Sequence, residues 1–242
     1  MADPRVADIV RSGRIRVALF LPQYAKDAVS GELKGVGTGL IAIEIAHVLA
    51  ARLGVAAALI EQPTPAMTVA CLKDDGCDVA FLGIEPSRAA EVAFSAPIFQ
   101  FDYTHLVPTG SLIHRAADAD RPGVRIAVVD GHASALALRR IVTHAELVGA
   151  ELPDSAFQLL CAGKVDAFAL PREQLVDYAR KLSGSRVLND SYGINGVAMA
   201  VRKDRSEWLA YLGEFIEHAK ASGLIQRVID EGDLHGFEVA AG

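Results

Sequence analysis

The chain has 242 residues, 51% hydrophobic and 22% charged, which is enough to bury a core in one large domain or in two of roughly 100–150 residues. Its net charge of −6 and pI of about 5.6 exclude the basic footprint of a nucleic-acid-binding protein. No window approaches ~20 consecutive apolar residues, which excludes a transmembrane helix.

Met1-Ala2-Asp3-Pro4 runs straight into a charged segment, with no signal peptide in view. That fits either a cytosolic protein or the mature form of a secreted one whose leader an initiator Met has replaced. A short helix over 6–10 stops at Ser12-Gly13. Arg14-Ile15-Arg16-Val17-Ala18-Leu19-Phe20 alternates and then turns fully apolar, which predicts a first strand. Leu21-Pro22-Gln23-Tyr24 follows its carboxyl end, a place that often faces a ligand in open α/β sheets. Tyr24 is either such a contact or a half-buried loop aromatic. After a polar turn over 30–35, residues 38–53 are strongly helical, with Leu40, Ile43, Ile45, Val48 and Leu49 on the apolar face and Gly54 as a stop. Gly35-Val36-Gly37-Thr38-Gly39 lacks the GxGxxG spacing and does not directly follow a buried strand, so a dinucleotide site is set aside. A second strand spans 56–60, Pro63-Thr64-Pro65 breaks the chain, and a helix covers 67–73.

The next stretch organises the molecule. Cys77-Asp78-Val79-Ala80-Phe81-Leu82-Gly83-Ile84-Glu85-Pro86-Ser87-Arg88 reads as a buried strand, a glycine and a charged pair, followed by a second strand start at Phe94-Ser95-Ala96-Pro97. Gly83 lets backbone approach a ligand closely. Arg88 offers a planar fork of donors suited to a carboxylate, although alone it reads more plainly as a solvated loop arginine.

Tyr103-Thr104-His105-Leu106-Val107 predicts a crossing strand and 108–120 a loop or linker. Val124-Arg125-Ile126-Ala127-Val128-Val129 is a strand, followed by Asp130-Gly131-His132-Ala133-Ser134 and a helix over 135–141. A strand, a glycine turn and a helix start make an anion-ready site, with Ser134 as N-cap, ligand contact or both. A helix over 155–161 leads through Gly163 into Lys164-Val165-Asp166-Ala167-Phe168-Ala169-Leu170. This repeats the helix, glycine, aspartate and apolar strand of 70–82, which argues for two similar α/β lobes. Residues 171–182 form a helix with a charged outer face. Val197 to Val201 is a strand, 207–221 a long helix anchored in the core by Trp208, and 224–231 a last helix.

Cys71, Cys77 and Cys161 are odd in number and contain no CxxC, though Cys71 and Cys77 could bridge in an oxidising compartment. The seven His show no HxxxH or HExxH spacing, so no metal site is expected.

Gly35 before a long helix, the Gly-x-Asp strand, Glu85-Pro86-Ser87-Arg88, Phe94-Ser95-Ala96-Pro97-Ile98 and Gly163-Lys164-Val165-Asp166-Ala167 together resemble the type 2 periplasmic solute-binding proteins, in particular the polar amino acid family serving ABC importers (bacterial extracellular solute-binding family 3). The resemblance implies an α/β fold of two lobes, each a mixed sheet flanked by helices, joined by two crossing hinge strands. It places lobe 1 at 1–101 and 196–242, lobe 2 at 107–190, and the hinges at about 100–107 and 190–197. The ligand would lie in an interlobe cleft. Its contacts would be the carboxylate-binding Arg88, the close-approach Gly83, Glu85, the aromatic Tyr24, and the second-lobe turn Gly131, His132, Ala133 and Ser134.

Two departures bear on the ligand. Glu85 stands where the family uses threonine, and Leu170-Pro171 stands where the family carries its amino-group aspartate. A buried ammonium without a partner is costly, so either Glu85 takes over or the ligand is no ordinary α-amino acid. The implied function is the substrate-binding component of an ABC importer: a periplasmic monomer with neither catalytic residues nor cofactor, holding a small carboxylate and docking on an inner-membrane permease. The alternatives are a cyclohexadienyl-dehydratase-like enzyme using Glu85 as a general acid, or the ligand-sensing domain of a receptor. A LysR-type regulator would need an N-terminal helix-turn-helix, for which the first strand at residue 14 leaves no room.

Overall fold

The computed structural model describes residues 3–21, 23–234 and 236–241. In chain order the elements are α1 (Ala7–Ser12), β1 (Arg14–Phe20), β2 (Tyr24–Lys26), β3 (Leu33–Gly35), α2 (Thr38–Leu53), β4 (Ala56–Gln62), α3 (Pro65–Lys73), β5 (Val79–Gly83), α4 (Pro86–Ala89) and β6 (Ala93–Val107). They continue as β7 (Arg125–Val129), α5 (Ala133–Arg139), β8 (Glu146–Ala150), α6 (Pro153–Cys161), β9 (Ala167–Pro171), α7 (Arg172–Lys181), β10 (Arg186–Val187), β11 (Gly193–Val201), α8 (Ser206–Ala221), α9 (Leu224–Glu231) and β12 (Phe237–Val239). Contacts divide the chain into two units: Met1–Gln100 with Gly196–Leu234 and Glu238–Gly242, and Phe101–Asn195 with His235–Phe237. The second unit also takes in a short piece of the tail.

The first unit carries strands in the order β4-β1-β5-β11, with β1 parallel to both β4 and β5 and β11 antiparallel to β5. All five residues of β5 are buried, as expected for a strand covered on both faces. Helix α2 spans the residues its periodicity predicts and stops at Gly54, whose φ of 68° is the left-handed C-cap that glycine adopts without steric penalty. Ile41, Ile45 and Leu49 are fully buried, each contributing roughly 1.5–3 kcal/mol. Val48, assigned to the same face from sequence, instead points outward. Trp208 is the expected core anchor, with its indole N–H donating to the Asp78 carbonyl at 3.1 Å.

The second unit uses the same order: β8-β7-β9-β6, with β7 parallel to β8 and β9 and β6 antiparallel to β9. Its buried residues gather into two clusters, one around Leu106, Phe157, Phe168 and Leu175, the other around Val107, Ile126, Leu138 and Leu188. The segment 108–120 is no linker here. Ile113, Ala116 and Ala119 are buried, and a short 3-10 turn spans Ala116–Ala119.

The repeat seen in the sequence performs one job twice. Asp78, entering β5, accepts from the Arg16 backbone N–H at 2.7 Å and from its guanidinium at 2.7 and 3.1 Å. Asp166, entering β9, does the same for Arg125 at 2.9, 3.3 and 3.4 Å. In both units a carboxylate pins the amino-terminal end of one parallel strand to its neighbour, leaving the carboxyl ends for other chemistry. Cys71 and Cys77 are unbridged thiols, and burial, reinforced by the neighbouring Cys71, pushes the Cys77 thiol up.

Candidate functional site

In each unit the candidate residues gather just beyond the carboxyl ends of parallel strands, the usual ligand edge of an open α/β sheet. In the first unit, Gly83 ends β5, and Glu85 is the residue before the short helix α4, whose third residue is Arg88. Proline at the first helical position sets the turn. The helix brings Arg88 back over the strand end, so that its guanidinium donates to the Gly83 carbonyl at 3.0 Å. Arg88 is half-buried and Glu85 is 5% exposed. Tyr24 opens β2, a ribbon paired with β3, and is half-buried. Desolvation raises its hydroxyl pKa, and the negative charge of Glu61 adds to the effect.

Gln23 is the residue that sequence reasoning missed here. It is 3% exposed, donates its side-chain amide to the Phe81 carbonyl at 3.1 Å and accepts from the Phe20 N–H at 3.2 Å. It therefore ties the loop carrying Tyr24 to the end of β5. Its own carbonyl lies so close to Gly39 that a Cβ there would sit 1.6 Å from the oxygen, which is why glycine occupies this turn of α2. The available signal was a polar residue directly after an apolar strand.

Phe94-Ser95-Ala96-Pro97 also has a structural account. The Ser95 hydroxyl donates to the Ala96 carbonyl at 2.8 Å and accepts from the Met199 N–H at 3.1 Å. A Cβ on Gly196 would lie 3.0 Å from Pro97.

In the second unit, β7 ends at Val129 and the exposed Gly131 turns the chain with a φ of 72°. The helix N-cap is His132 rather than Ser134. The His132 Nδ1 accepts from the Ser134 N–H at 3.2 Å and lies 2.7 Å from the Ser134 hydroxyl. Helix α5 accordingly starts two residues earlier than the sequence predicts. Ser134 is fully buried, and Ala133 is half-buried. The Tyr192 hydroxyl donates to the Ser134 carbonyl at 3.3 Å.

Leu170 and Pro171 end β9 fully buried, with no carboxylate between them. Two residues on, Glu173 lies in the first turn of α7. Its Oε2 is buried and meets no hydrogen-bond partner among the described residues. Burial raises its pKa to about 7, and the nearby charge of Asp102 acts in the same direction. Sequence reasoning missed Glu173, because a helix with a charged outer face reads as solvated. Arg172, beside it, is a brace: its Nε donates to both Asp102 oxygens at 2.9 and 2.8 Å, and its Nη1 donates to the Leu188 carbonyl at 2.6 Å. Among the described residues, no three His, Cys, Asp or Glu side chains gather into a group able to hold a metal ion.

The sequence profile of the bacterial extracellular solute-binding proteins, family 3, matches residues 23–231. No curated protein matches the sequence. Among solved structures, an ancestral amino acid-binding protein described as a precursor of cyclohexadienyl dehydratase is 24% identical, with a TM-score of 0.72 over 93% of this chain and 97% of that one. An amino acid ABC transporter substrate-binding protein from Streptococcus pneumoniae, bound to L-arginine, is 21% identical, with a TM-score of 0.71 over 98% and 100%. A solute receptor for L-cysteine from Neisseria gonorrhoeae is 21% identical, with a TM-score of 0.71 over 93% and 92%. At these identities the likeness to solved structures is one of fold, the mixed α/β fold of type 2 periplasmic binding proteins.

Proposed function

Because this chain belongs to the bacterial extracellular solute-binding proteins, family 3, we propose that it is the periplasmic substrate-binding component of an ABC importer and captures a small carboxylate-bearing solute. One observation carries the choice of ligand: the Arg88 guanidinium is fixed to the Gly83 carbonyl at 3.0 Å, on the ligand edge of β5. A cation held there is a pre-aimed carboxylate clamp, since less side-chain freedom is lost when the ligand arrives. Gly83, Glu85 and Tyr24 complete the first unit's share. In the second unit Gly131, His132 and Ala133 are assigned to the ligand, and Ser134 to holding His132 in place. The partner would be an inner-membrane permease met by a monomer.

Glu173 answers the missing aspartate better than Glu85 does. It follows the strand end where the family's acid is absent, and its buried Oε2 has no partner among the described residues. With an amino acid bound, the ammonium would pair with ionised Glu173, and affinity would fall as pH drops below about 7. With a ligand lacking an ammonium, protonated Glu173 would donate instead, and affinity would fall as pH rises through the same range. Calorimetry with amino acids and organic acids at pH 5.5, 7 and 8.5 (on the order of one unit either side of that pKa) separates the two. An Arg88→Ala variant that keeps full affinity would remove the clamp from the account.

The same carboxyl supports a second reading. A buried acid with a pKa of about 7 is poised for general acid catalysis, as a cyclohexadienyl-dehydratase-like activity would need. Glu85, the acid chosen from sequence, then gives way to Glu173. Turnover of prephenate or arogenate, abolished by Glu173→Gln, would establish it; no turnover by the wild type would discard it.

A further inference from the structure

Large apolar side chains stand exposed around the edge where the parallel strands of the first unit end. Leu21 follows β1, Ile84 follows Gly83 at the end of β5, Val36 follows β3, and Met67 lies in the first turn of α3, past the end of β4. They are 38–51% exposed. The unit's other exposed large apolar side chains among the described residues, Val10, Val29 and Val48, are scattered over α1, the β2–β3 connection and α2. Single exposed apolar residues are ordinary, whereas a group on one edge marks a binding surface.

Backbone hydrogen bonds bring the group together. The order β4-β1-β5 sets the ends of three parallel strands side by side. The Gln23 N–H donates to the Phe20 carbonyl at 2.7 Å, which folds Leu21 over the end of β1, and the Gln23 carbonyl accepts from the Val36 N–H at 2.9 Å. The Ile84 N–H donates to the Gly196 carbonyl at 2.9 Å. The group also adjoins the clamp, because Ile84 directly follows Gly83, whose carbonyl holds the Arg88 guanidinium.

The charges around this edge are matched within the unit. Lys26 meets Glu61 at 2.8 Å and Lys34 meets Asp27 at 2.6 Å. Glu85 is buried, and Glu32 stands in the β2–β3 connection, at the end of the ribbon opposite Tyr24 and Val36. In the second unit Asp130, in the turn after β7, pairs with Arg139 at 3.0 Å. A further charge on the solute would have to break one of these pairs, whereas an apolar body covers side chains now in water.

We infer that the solute is a carboxylic acid with an uncharged, apolar body of the size of a leucine or phenylalanine side chain, seated on Leu21, Val36, Met67 and Ile84 while its carboxylate meets Arg88. The inference rests on the proposed carboxylate clamp and goes further by naming the rest of the solute. It holds with or without an ammonium on the solute, so it is independent of the role of Glu173.

The test is titration calorimetry of the full chain with pairs of probes of matched size, L-leucine beside L-asparagine and isocaproate beside succinamate, with L-arginine as the charged case and sedimentation to follow association. L-leucine or isocaproate is expected to bind roughly tenfold or more tightly than its amide partner, the worth of about two buried methylene groups, and more tightly than L-arginine. The double variant Leu21→Asn with Met67→Gln should erase most of that preference, while Val48→Gln on α2 should keep it. All three side chains are exposed, so neither variant opens the core. An amide or L-arginine that binds as well as the apolar probe overturns the inference and leaves the Arg88 clamp standing. A double variant that keeps the preference overturns it too, as does one that changes only the sedimentation, which would make the patch an interface between copies of the chain. Failure of every probe overturns the inference alone, since the clamp is judged separately by whether Arg88→Ala loses the preference for an acid over its ester.

Discussion

Glu173 carries the sharpest consequence at the scale of a single residue. Its folded-state pKa of about 7 exceeds the ordinary value of 4.5, so the folded protein holds this proton more tightly than the unfolded chain. The stabilisation is complete below the ordinary value and is lost as pH rises through 7. Glu173→Gln should therefore raise Tm at pH 8 and leave it unchanged at pH 4, as followed by thermal denaturation of the ligand-free protein. An equal shift at both values would mean that Glu173 is solvated. Arg88, Gly83, Glu85 and Tyr24 stood out in the sequence because each follows an apolar strand with a turn residue close by. Gln23 and Glu173 did not. Their significance lies in burial, and a polar residue's burial is set by what packs over it from elsewhere in the chain.

At the scale of elements, the long helices were legible because one apolar stripe and one glycine stop define them locally. The edge strand β8 was not. Its burial pattern is mostly partial, and Gly149 breaks its β character because the Asp130 carboxylate occupies the space of a side chain, 2.5 Å from where a Cβ would lie. The tail strand β12 is only three residues long and gave no periodicity. The repeated aspartate was read as evidence of two lobes, and the structure supplies its physics. The Asp78 side chain is 11% exposed with three close bonds to Arg16, whereas Asp166 is 41% exposed with longer ones. Asp78→Asn is expected to lose about 1.5–3 kcal/mol of stability and Asp166→Asn about 1 kcal/mol or less, measured by urea unfolding. The reverse ranking would contradict the account of the corner. A glycine pair provides a second check. Gly39→Ala must push apart α2 and the Gln23 loop, a loss of about 3 kcal/mol or more. Gly213→Ala, inside α8 with open space around it, should gain roughly 0.5–1 kcal/mol.

For the whole molecule, each unit has the same strand order, and the candidate ligand groups of each lie past the carboxyl ends of its parallel strands. The chain passes between the units at 100/101 and 195/196, within β6 and β11, and twice more at the tail, where a short piece of the last stretch belongs to the second unit. A solute that binds only the folded chain should stabilise it by about 2.7 kcal/mol at a hundredfold excess over Kd, which for a protein of this length raises Tm by roughly 5–10 °C. The central claim is that a carboxylate on the solute meets Arg88. Titration calorimetry of the wild type and Arg88→Ala tests it, using L-arginine, L-cysteine and succinate, each beside its methyl ester. The account predicts that at least one free acid binds the wild type, that its ester binds at least tenfold more weakly, and that Arg88→Ala abolishes this preference, the equivalent of one charge-assisted pair. An ester that binds as well as its acid, or an Arg88→Ala variant that still prefers the acid, would contradict it.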